Sequence, residues 1–468
     1  MSENRERRRN SVGSMVFRSI NPATEEVVGE FPAMSQEELA RALDRAQEAF
    51  LVNSRQPIAW RAERMLALAG RLRGQHDELA RLVCSEMGKP ILEAQAEVEK
   101  CAISCQYFAH HAAEFLQDQP APSDSPRSFV AFRPLGVVLA IMPWNYPFWQ
   151  VVRFLAPALM AGNSGLLRHS RTTVGSALAL ERLVREAGFP EGSLAALVTD
   201  HESVAGILAD PRVRAVTLTG SDVERSEIAA LAGRELKKAV LELGGSDFFL
   251  VLEDADLTSA AEVGVRARFQ NAGQSCIAAK RFLVAEQVAD EYLERFLTLA
   301  RELRQGDPTD AAVKLGPMAR RDLREGLHDQ VKRSVASGAV VALGGAPADP
   351  PGFFYPATVL TGVTPGMAAF DEETFGPVAS FTRFSSEEEG IRLANHPSYG
   401  LGGNVWTADP ERGVKLASRL DTGGVFINGM THSDARMPFG GVRRSGFGRE
   451  LASFGIREFT NIQTVWRP

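Results

Sequence analysis

Three side chains in separate loop segments have the residue types needed for covalent catalysis. Cys276 lies in the small polar stretch 270–280, Glu242 precedes a pair of glycines, and Asn145 lies between two prolines. A cysteine thiolate is a strong nucleophile near neutral pH, and a carboxylate can activate water for a second step. Taken singly, Cys276 could instead be a small apolar loop residue, Asn145 a turn former and Glu242 a solvated charge.

The segments around Asn145 and Glu242 follow short apolar runs that alternate with stretches of helical periodicity. Between residues 136 and 243 the runs are Val137–Met142, 165–167, 194–198, 215–218 and 239–241. Alternation of this kind predicts a doubly wound parallel sheet, in which ligands bind beyond the carboxyl ends of the strands. The residues that follow the runs, at 143–147, 168–171, 219–222 and 242–245, are therefore expected to form the site.

A second alternating region runs from 248 to about 425 and contains the segment of Cys276. Strands are predicted at 248–252, 281–284, Val340–Leu343 and Gly424–Ile427, with helices clearest at 290–303 and 320–336. Helical periodicity also covers 35–111, and 128–133 alternates like a strand outside the main sheet. The chain is thus expected to be an α/β protein with two parallel sheets.

Length and charge exclude several classes of function. The chain has 468 residues, which favours two or three domains, and its 52 basic and 58 acidic residues give a formal charge of -6 without a basic stripe. A nucleic-acid partner is therefore not expected. No run of eighteen or more apolar residues could span a membrane, and the polar first nine residues lack the apolar centre of a signal peptide, so we expect a cytoplasmic protein.

Cysteine use favours a reducing compartment. There are four cysteines without paired spacing, so a disulfide framework is not expected. Cys101 and Cys105 would share a helix face, but no second pair of ligands accompanies them. We therefore predict that both thiols are buried structural groups and that the protein has no metal site.

Four loop motifs in order resemble the aldehyde dehydrogenase superfamily over about residues 20–466. They are Pro-Trp-Asn-Tyr-Pro at 143–147, Leu-Glu-Leu-Gly-Gly at 241–245, Gly-Gln-Ser-Cys at 273–276 and Glu-Thr-Phe-Gly-Pro at 373–377. The resemblance implies two doubly wound parallel-sheet domains, a small oligomerisation module and assembly into a homodimer or homotetramer. The implied division is an NAD(P)-binding domain at 1–115 and 134–245, a catalytic domain at 246–445, and the oligomerisation module at 116–133 and 446–468.

The resemblance gives the three reactive side chains definite roles. Cys276 would attack an aldehyde to form a thiohemiacetal and then a thioester. The side chain of Asn145 and the backbone N–H of Cys276 would stabilise the alkoxide, and Glu242 would activate the water that hydrolyses the thioester. Because all three occur together in the family's order, we favour the catalytic interpretation over the separate structural ones.

The cofactor implied by the resemblance is NAD or NADP, bound without a Gly-x-Gly-x-x-Gly loop. The strand at 215–218 leads through Gly220 and Ser221 into a helix whose N-terminus could receive the pyrophosphate. Trp144 would lie near the nicotinamide, Glu373 would bind its ribose, and Phe375 would pack close to the ring. The predicted cofactor-binding residues are Trp144, Arg168, Ser170, Arg171, Gly220, Ser221, Glu373 and Phe375.

Arginines depart from the family pattern near the expected cofactor. Arg168 stands where a lysine is usual, and Arg171 where an acidic or small residue is frequent. Two guanidinium groups near the adenosine ribose would favour a 2′-phosphate and hence NADP. Arg225 replaces a glycine and would either contact phosphate or obstruct it. Each of the three could instead be a solvated surface charge.

Within the superfamily, the runs at 244–247, 276–281 and 445–450 look most like bacterial NAD(P)-dependent succinate-semialdehyde dehydrogenases. A substrate carboxylate requires a cation in the pocket. Arg153, in an otherwise apolar helix, is the first candidate, with an internal salt bridge as the rival interpretation. Arg436 is the second, with pairing to Asp434 as its rival. Gln270 departs from an arginine seen in some of these enzymes.

One further departure concerns proton transfer. Phe154 occupies the position of a lysine that many relatives pair with a glutamate matching Glu450, so Glu450 is expected to be structural or secondary. The predicted function is oxidation of succinate semialdehyde, or of a similar semialdehyde, to the carboxylate with NAD(P)+. The alternatives are a broad-specificity aldehyde dehydrogenase and a noncatalytic oligomeric binding protein of the same fold.

Overall fold

A computed structural model describes residues 15–125, 127–220 and 222–467, with the backbone alone at 222–225. The α-helices are Gln36–Asn53, Ile58–Gly74, His76–Met87, Ile91–Phe115, Trp149–Ala161, Val174–Glu186, Glu202–Ala209, Asp222–Arg234, Leu257–Phe269, Ala289–Arg301, Arg321–Ala336, Ala368–Asp371, Glu387–Asn395, Pro410–Ala417 and Ala452–Glu458. Within these described residues, no helix combines the length and the apolar character needed to cross a membrane.

The first sheet is built from the region that alternates between 136 and 243. Its strands lie in the order Gly446–Phe447, Lys238–Glu242, Val213–Thr219, Val137–Met142, Ser164–His169, Leu194–Ala196. All pairings are parallel except that of Gly446–Phe447 with Lys238–Glu242. Every residue of the central strand Val137–Met142 is buried, as expected for a parallel strand covered by helices on both faces. The strand Gly446–Phe447, which belongs to the predicted oligomerisation module, therefore forms one edge of this sheet.

The second sheet contains the strand that follows Cys276. Its order is Val340–Leu343, Thr358–Thr361, Val378–Phe384, Ala279–Ala285, Asp247–Val251, Gly402–Trp406, Gly424–Ile427. Only the pairing of Val340–Leu343 with Thr358–Thr361 is antiparallel. The sequence did not predict Gly402–Trp406, because its two glycines have low strand propensity. The two largely parallel sheets confirm the predicted α/β fold.

Smaller antiparallel sheets lie outside the two main ones. The strands Val16–Ile20 and Val27–Pro32 form a hairpin, Tyr399–Gly400 pairs with Val442–Arg443, and a third sheet has the order Thr460–Val465, Phe129–Pro134, Gln119–Pro120. The C-terminal strand Thr460–Val465 thus pairs with its own chain and forms an edge of that sheet. An exposed edge strand could pair with a second subunit.

A buried carboxylate fixes the start of the helix that follows the Asn145 segment. Glu97, on the helix Ile91–Phe115, accepts hydrogen bonds from the backbone N–H groups of Phe148 (2.9 Å) and Trp149 (3.0 Å). Its other oxygen forms a buried ion pair with Lys89. Both side chains are about 1% exposed, so each charge is stabilised by the other instead of by water. This contact ties the N-terminal helices to the first sheet next to the predicted site.

Replacement of Glu97 by Ala should lower the free energy of unfolding by about 3 to 5 kcal/mol, because it leaves Lys89 buried without a partner. The matched control is Glu99→Ala on the same helix, which removes a half-exposed ion pair with Arg73 and should cost less than about 1 kcal/mol. Urea unfolding followed by circular dichroism would measure both. Equal unfolding midpoints for the two variants would contradict this account.

Candidate active site

Cys276 follows a turn with an unusual backbone. The helix Leu257–Phe269 leads into a 3-10 turn in which Asn271, Ala272 and Gly273 have φ values of 54°, 52° and 70°. Left-handed backbone is unfavourable for alanine and is retained only where surrounding contacts require it. The segment before the nucleophile is therefore held in place by the rest of the protein.

Arg268 supplies part of that support and was not predicted from the sequence. Its buried guanidinium donates through Nη2 to the carbonyl oxygens of Gly273 (2.9 Å), Thr374 (3.4 Å) and Gly376. A methyl group on Gly273 would lie 2.3 Å from that Nη2 atom, so only glycine fits there. Arg268 thus joins the cysteine loop to the segment 373–377. The signal that the sequence offered for Arg268 was a charged residue between the apolar residues Ala267 and Phe269 at the end of a helix.

Lys280, at the other end of the cysteine loop, was also missed. Its fully buried ammonium group donates to the carbonyl oxygens of Ser275 (2.9 Å) and Cys276 (2.8 Å) and lies 3.5 Å from a carboxylate oxygen of Glu373. The same Glu373 oxygen accepts a hydrogen bond from the backbone N–H of Gly245 (3.0 Å). Lys280 therefore links the peptide of the nucleophile to the predicted ribose-binding carboxylate.

The glycine pair after Glu242 permits close packing against this loop. A methyl group on Gly245 would lie 2.6 Å from the carbonyl oxygen of Cys276, and one on Gly244 would lie 2.5 Å from Glu373 Oε2. Both distances are shorter than van der Waals contact. The motif at 241–245 thus brings Glu242 to the site by allowing its backbone to touch the other two loops.

Asn145 lies against the same loop. Its side-chain Nδ2 donates to the backbone carbonyl oxygen of Gln274 (3.0 Å). Its backbone carbonyl oxygen accepts a hydrogen bond from Nδ2 of Asn271 (2.9 Å). Asn145 and Cys276 line one cavity. An amide has two N–H donors, so one donor of Asn145 remains after the bond to Gln274. The structure therefore brings two of the three predicted catalytic residues together.

Glu242 is the last residue of its strand and is 2% exposed. Neither carboxylate oxygen has a hydrogen-bond partner within the described residues. Burial raises its pKa well above the ordinary value; Arg153 opposes this shift and Glu450 adds to it. Its Oε1 lies close to the backbone of Gly440. Glu242 is not among the described residues that line the two cavities at Cys276.

Arg153 forms the internal salt bridge that the sequence left open as the rival to substrate binding. Its guanidinium is 2% exposed, forms a buried ion pair with Glu450, and donates through Nη2 to Thr219 Oγ1 (3.4 Å). Arg153 also lines a cavity with Cys276. Its charge is thus balanced within the protein by Glu450, whose structural or secondary role stays a prediction. Substrate binding by Arg153 stays a prediction.

Arg436, the second predicted substrate-binding residue, does not reach the site. Its side chain is 74% exposed and forms a bidentate pair with Asp434, with Nε at 2.8 Å and Nη2 at 2.5 Å from the two oxygens. Pairing with Arg436 lowers the pKa of Asp434 to about 2. The pair with Asp434 that the sequence offered as the rival interpretation is thus present, and substrate binding by Arg436 stays a prediction.

Most of the predicted cofactor residues line one cavity together with Asn145 and Cys276. They are Trp144, Arg168, Ser170, Arg171, Gly220, Glu373 and Phe375, and Arg320 joins them. The rings of Trp144 and Phe375 meet edge to face with centroids 5.8 Å apart. Ser221 and the side chain of Arg225 lie outside the described residues. This cavity is called the cofactor-side cavity below.

His169 connects two walls of the cofactor-side cavity. Its Nδ1 accepts hydrogen bonds from the Ser170 N–H (2.9 Å) and from Thr173 Oγ1 (2.7 Å), so Nε2 carries the proton and donates to the Pro147 carbonyl oxygen (3.0 Å). Burial lowers the pKa of His169 to about 4, which keeps the ring neutral. The histidine therefore fixes the Asn145 segment relative to Ser170.

A second cavity, called the substrate-side cavity below, meets the first at Gln150 and Cys276. It is smaller, with a volume of about 130 Å³ against about 410 Å³. Its lining includes Glu93, Glu97, Lys100, Arg153, Gln270, Ser433 and Phe439. Lys100 was not predicted, because nothing in its local sequence separates it from other lysines on amphipathic helices.

The thiol of Cys276 is the most accessible of the four. Cys84, Cys101 and Cys105 are buried, and all four are free thiols. Burial raises the pKa of Cys276 to about 12, although Arg153 and Lys280 act in the opposite direction. Among the described residues, no three His, Cys, Asp or Glu side chains are grouped as metal ligands. Cys276 is thus the thiol placed to react with a molecule in either cavity.

Comparison with known proteins agrees with this geometry. The chain matches the Aldehyde dehydrogenase family over residues 9–465. It is 47% identical over 456 residues to a succinate-semialdehyde dehydrogenase [NADP(+)] of Mycobacterium avium (strain 104), with 97% of each chain covered. It is 46% identical over 449 residues to a succinate semialdehyde dehydrogenase [NAD(P)+] of Escherichia coli (strain K12), covering 96% of this chain and 97% of the relative.

A solved structure is similar over the same length. The succinic semialdehyde dehydrogenase of Streptococcus pyogenes, in complex with NADP+, superposes with a TM-score of 0.95 at 36% identity and covers 97% of this chain and 100% of its own. These matches confirm the predicted family and the predicted fold. The chain belongs to the aldehyde dehydrogenase family.

Proposed function

We propose that the protein oxidises succinate semialdehyde, or a semialdehyde of similar length, to the carboxylate with NADP+ or NAD+. The observation that carries the proposal is the position of Cys276 at the junction of two cavities. One cavity is lined by the predicted cofactor residues, and the other is small and contains cationic side chains. The names of the similar proteins from M. avium and E. coli support the same substrate.

The first step is attack of the Cys276 thiolate on the aldehyde carbon. The resulting alkoxide would be stabilised by the free N–H of the Asn145 amide and by the backbone N–H of Cys276. The Asn145 amide is already oriented by its bond to the Gln274 carbonyl, so little reorganisation is needed. As the alkoxide collapses, the former aldehyde carbon releases a hydride and a thioester on Cys276 remains. Bound NAD(P)+ would accept this hydride.

The second step is hydrolysis of the thioester, for which Glu242 is the base. Its two oxygens lack hydrogen-bond partners among the described residues and so are open to a water molecule. Arg153 favours its ionised form, whereas burial and Glu450 disfavour it. A carboxylate with a raised pKa is a better proton acceptor than an ordinary one. This supports hydrolysis over transfer of the acyl group to a thiol.

The chemistry of the cofactor-side cavity fits a dinucleotide. Gly220 allows the backbone to approach the pyrophosphate at the end of a first-sheet strand, and Trp144 and Phe375 provide aromatic surface near Cys276. Arg168, Arg171 and Arg320 also line this cavity. Three guanidinium groups in its lining supply charge for a 2′-phosphate, which supports NADP over NAD.

We also propose the division into domains and the assembly that the family suggests. The strand Thr460–Val465 is an antiparallel edge strand with Ile462 62% exposed, which supports pairing with a second subunit in a dimer or tetramer. The cofactor-binding domain would comprise 1–115 and 134–245, the catalytic domain 246–445, and the oligomerisation module the rest. Free buried thiols support a cytoplasmic location.

The direct test of the proposed function is steady-state kinetics that cross NADP+ and NAD+ with succinate semialdehyde and butanal. Butanal has the same number of carbons and no carboxylate. We expect kcat/KM to be at least about tenfold higher for succinate semialdehyde, since a charge-assisted contact is lost with butanal. Cys276→Ala should abolish turnover. Equal values for the two aldehydes would refute the substrate, and turnover by Cys276→Ala would refute the mechanism.

Reactivity of Cys276 should rise with pH over an unusually wide range. Because burial raises its pKa to about 12, the thiolate fraction should grow about tenfold per pH unit from about pH 7 to about pH 9.5. The measurement is the rate of iodoacetamide alkylation without cofactor, with Cys276→Ala as the background for the other thiols. A plateau below about pH 9 would contradict the assigned environment.

Replacement of Arg171 by Ala should weaken NADP+ more than NAD+. We expect the KM for NADP+ to rise about tenfold and that for NAD+ to change less than about twofold, because only NADP+ carries the 2′-phosphate. Arg185→Ala, an exposed arginine outside the cavity, is the matched control and should change neither. A parallel loss for both coenzymes would show that Arg171 does not distinguish them.

A further inference from the structure

Among the described residues, Lys100 is a cation of the substrate-side cavity that takes part in no ion pair. The charged residues of the cavity lining are Glu93, Glu97, Lys100 and Arg153. Glu97 is engaged by Lys89 and two backbone N–H groups, and Arg153 is paired with Glu450. Glu97 and Asp434 act on the charge of Lys100 from beyond ion-pair distance, and Asp434 is itself paired with Arg436.

Glu93 does not balance Lys100 either. It accepts a hydrogen bond from the backbone N–H of Asn271 (2.7 Å), and burial raises its pKa to about 7, so it carries only part of a negative charge at neutral pH. Gln270, on the same wall, is uncharged. The cavity therefore has a positive site that suits an anionic part of a ligand.

The surroundings of Lys100 hold its ammonium group in one place. Its Nζ donates to Ser433 Oγ at 2.9 Å and lies 4.2 Å from the centroid of the Trp149 ring. Trp149 Nε1 donates to the same Ser433 oxygen at 3.0 Å. Burial, followed by Arg153, lowers the pKa of Lys100 to about 8, which leaves the ammonium form dominant at neutral pH.

The contacts with Lys100 and Trp149 also determine which hydrogen bond the Ser433 hydroxyl can still make. Its oxygen already accepts two hydrogen bonds, from Lys100 and from Trp149, so its own O–H must donate to something else. Lys100 likewise retains two N–H donors beyond the one that Ser433 receives. An ammonium and a hydroxyl that are adjacent and both have donors left form a suitable pair for a carboxylate.

We propose that Lys100 binds the carboxylate of the substrate, with Ser433 as its neighbouring donor, and that this contact sets the preference for a semialdehyde over an uncharged aldehyde. The inference rests on the proposed function and deepens it by naming the cation. It assigns to Lys100 the role first expected of Arg153 and Arg436. Arg153 remains within the protein's own ion pair, where it acts on Glu242 and Cys276.

The test is the ratio of kcat/KM for succinate semialdehyde to kcat/KM for butanal in purified full-length variants. Lys100→Met removes the charge at similar length, and the ratio should fall about tenfold, mainly through a higher KM for succinate semialdehyde. Lys100→Arg keeps the charge and should stay within about threefold of the wild-type ratio. Lys332→Met, an exposed lysine outside both cavities, is the matched control.

A Lys100→Met ratio within about threefold of the wild-type value would overturn the inference, as would an equal fall in Lys100→Arg. Folding is checked independently by NADP+ binding, followed through quenching of tryptophan fluorescence. If Lys100→Met is misfolded, Lys100→Gln and Lys100→Arg provide the same comparison. A wild-type enzyme without preference for succinate semialdehyde would instead refute the proposed function, so the two failures are distinguished by the wild-type ratio alone.

Discussion

The hydrogen bonds from the buried ammonium of Lys280 to the carbonyl oxygens of Ser275 and Cys276, one on each side of the Cys276 α-carbon, hold the nucleophile in position. An ammonium group without water is costly unless acceptors surround it, and here two peptide oxygens and Glu373 do so. Arg268 acts in the same way on the preceding turn. The Gly273 oxygen that Arg268 binds lies directly after Asn271 and Ala272, whose left-handed backbone would otherwise be unfavourable.

A third buried cation, Arg153, acts on the charges around the nucleophile. Arg153 lies in an ion pair with Glu450 and also favours the ionised forms of Glu242 and Cys276. Burial acts against ionisation at both residues and is the larger effect. Burial therefore disfavours ionisation of both reactive groups, while a positive charge nearby limits the cost of releasing each proton. Loss of Arg153 would remove the charge that opposes the effect of Glu450 on the pKa of Glu242.

Much of this organisation follows from local sequence, and the rest does not. The strand Val137–Met142 and the loops at Asn145, Glu242 and Cys276 were predictable, because apolar runs and tight turns are encoded within a few residues. Arg268, Lys280 and Lys100 were not, since each acts on residues brought near by folding, such as Gly376 and Ser433. For Arg436 the sequence left two interpretations open, and its pair with Asp434, two residues away, is the one that the structure contains.

Gln150 and Cys276 lie between the two cavities, so recognition of the coenzyme and recognition of the substrate take place on opposite sides of them. Arg168, Arg171 and Arg320 line the cofactor-side cavity, whereas Lys100 and Arg153 line the other, and no cation of the described residues is common to both. Substitutions at groups that share no partner usually have additive effects. A preference for coenzyme phosphate and a preference for substrate carboxylate can therefore vary independently in this fold, while the thiol between them stays fixed by Lys280.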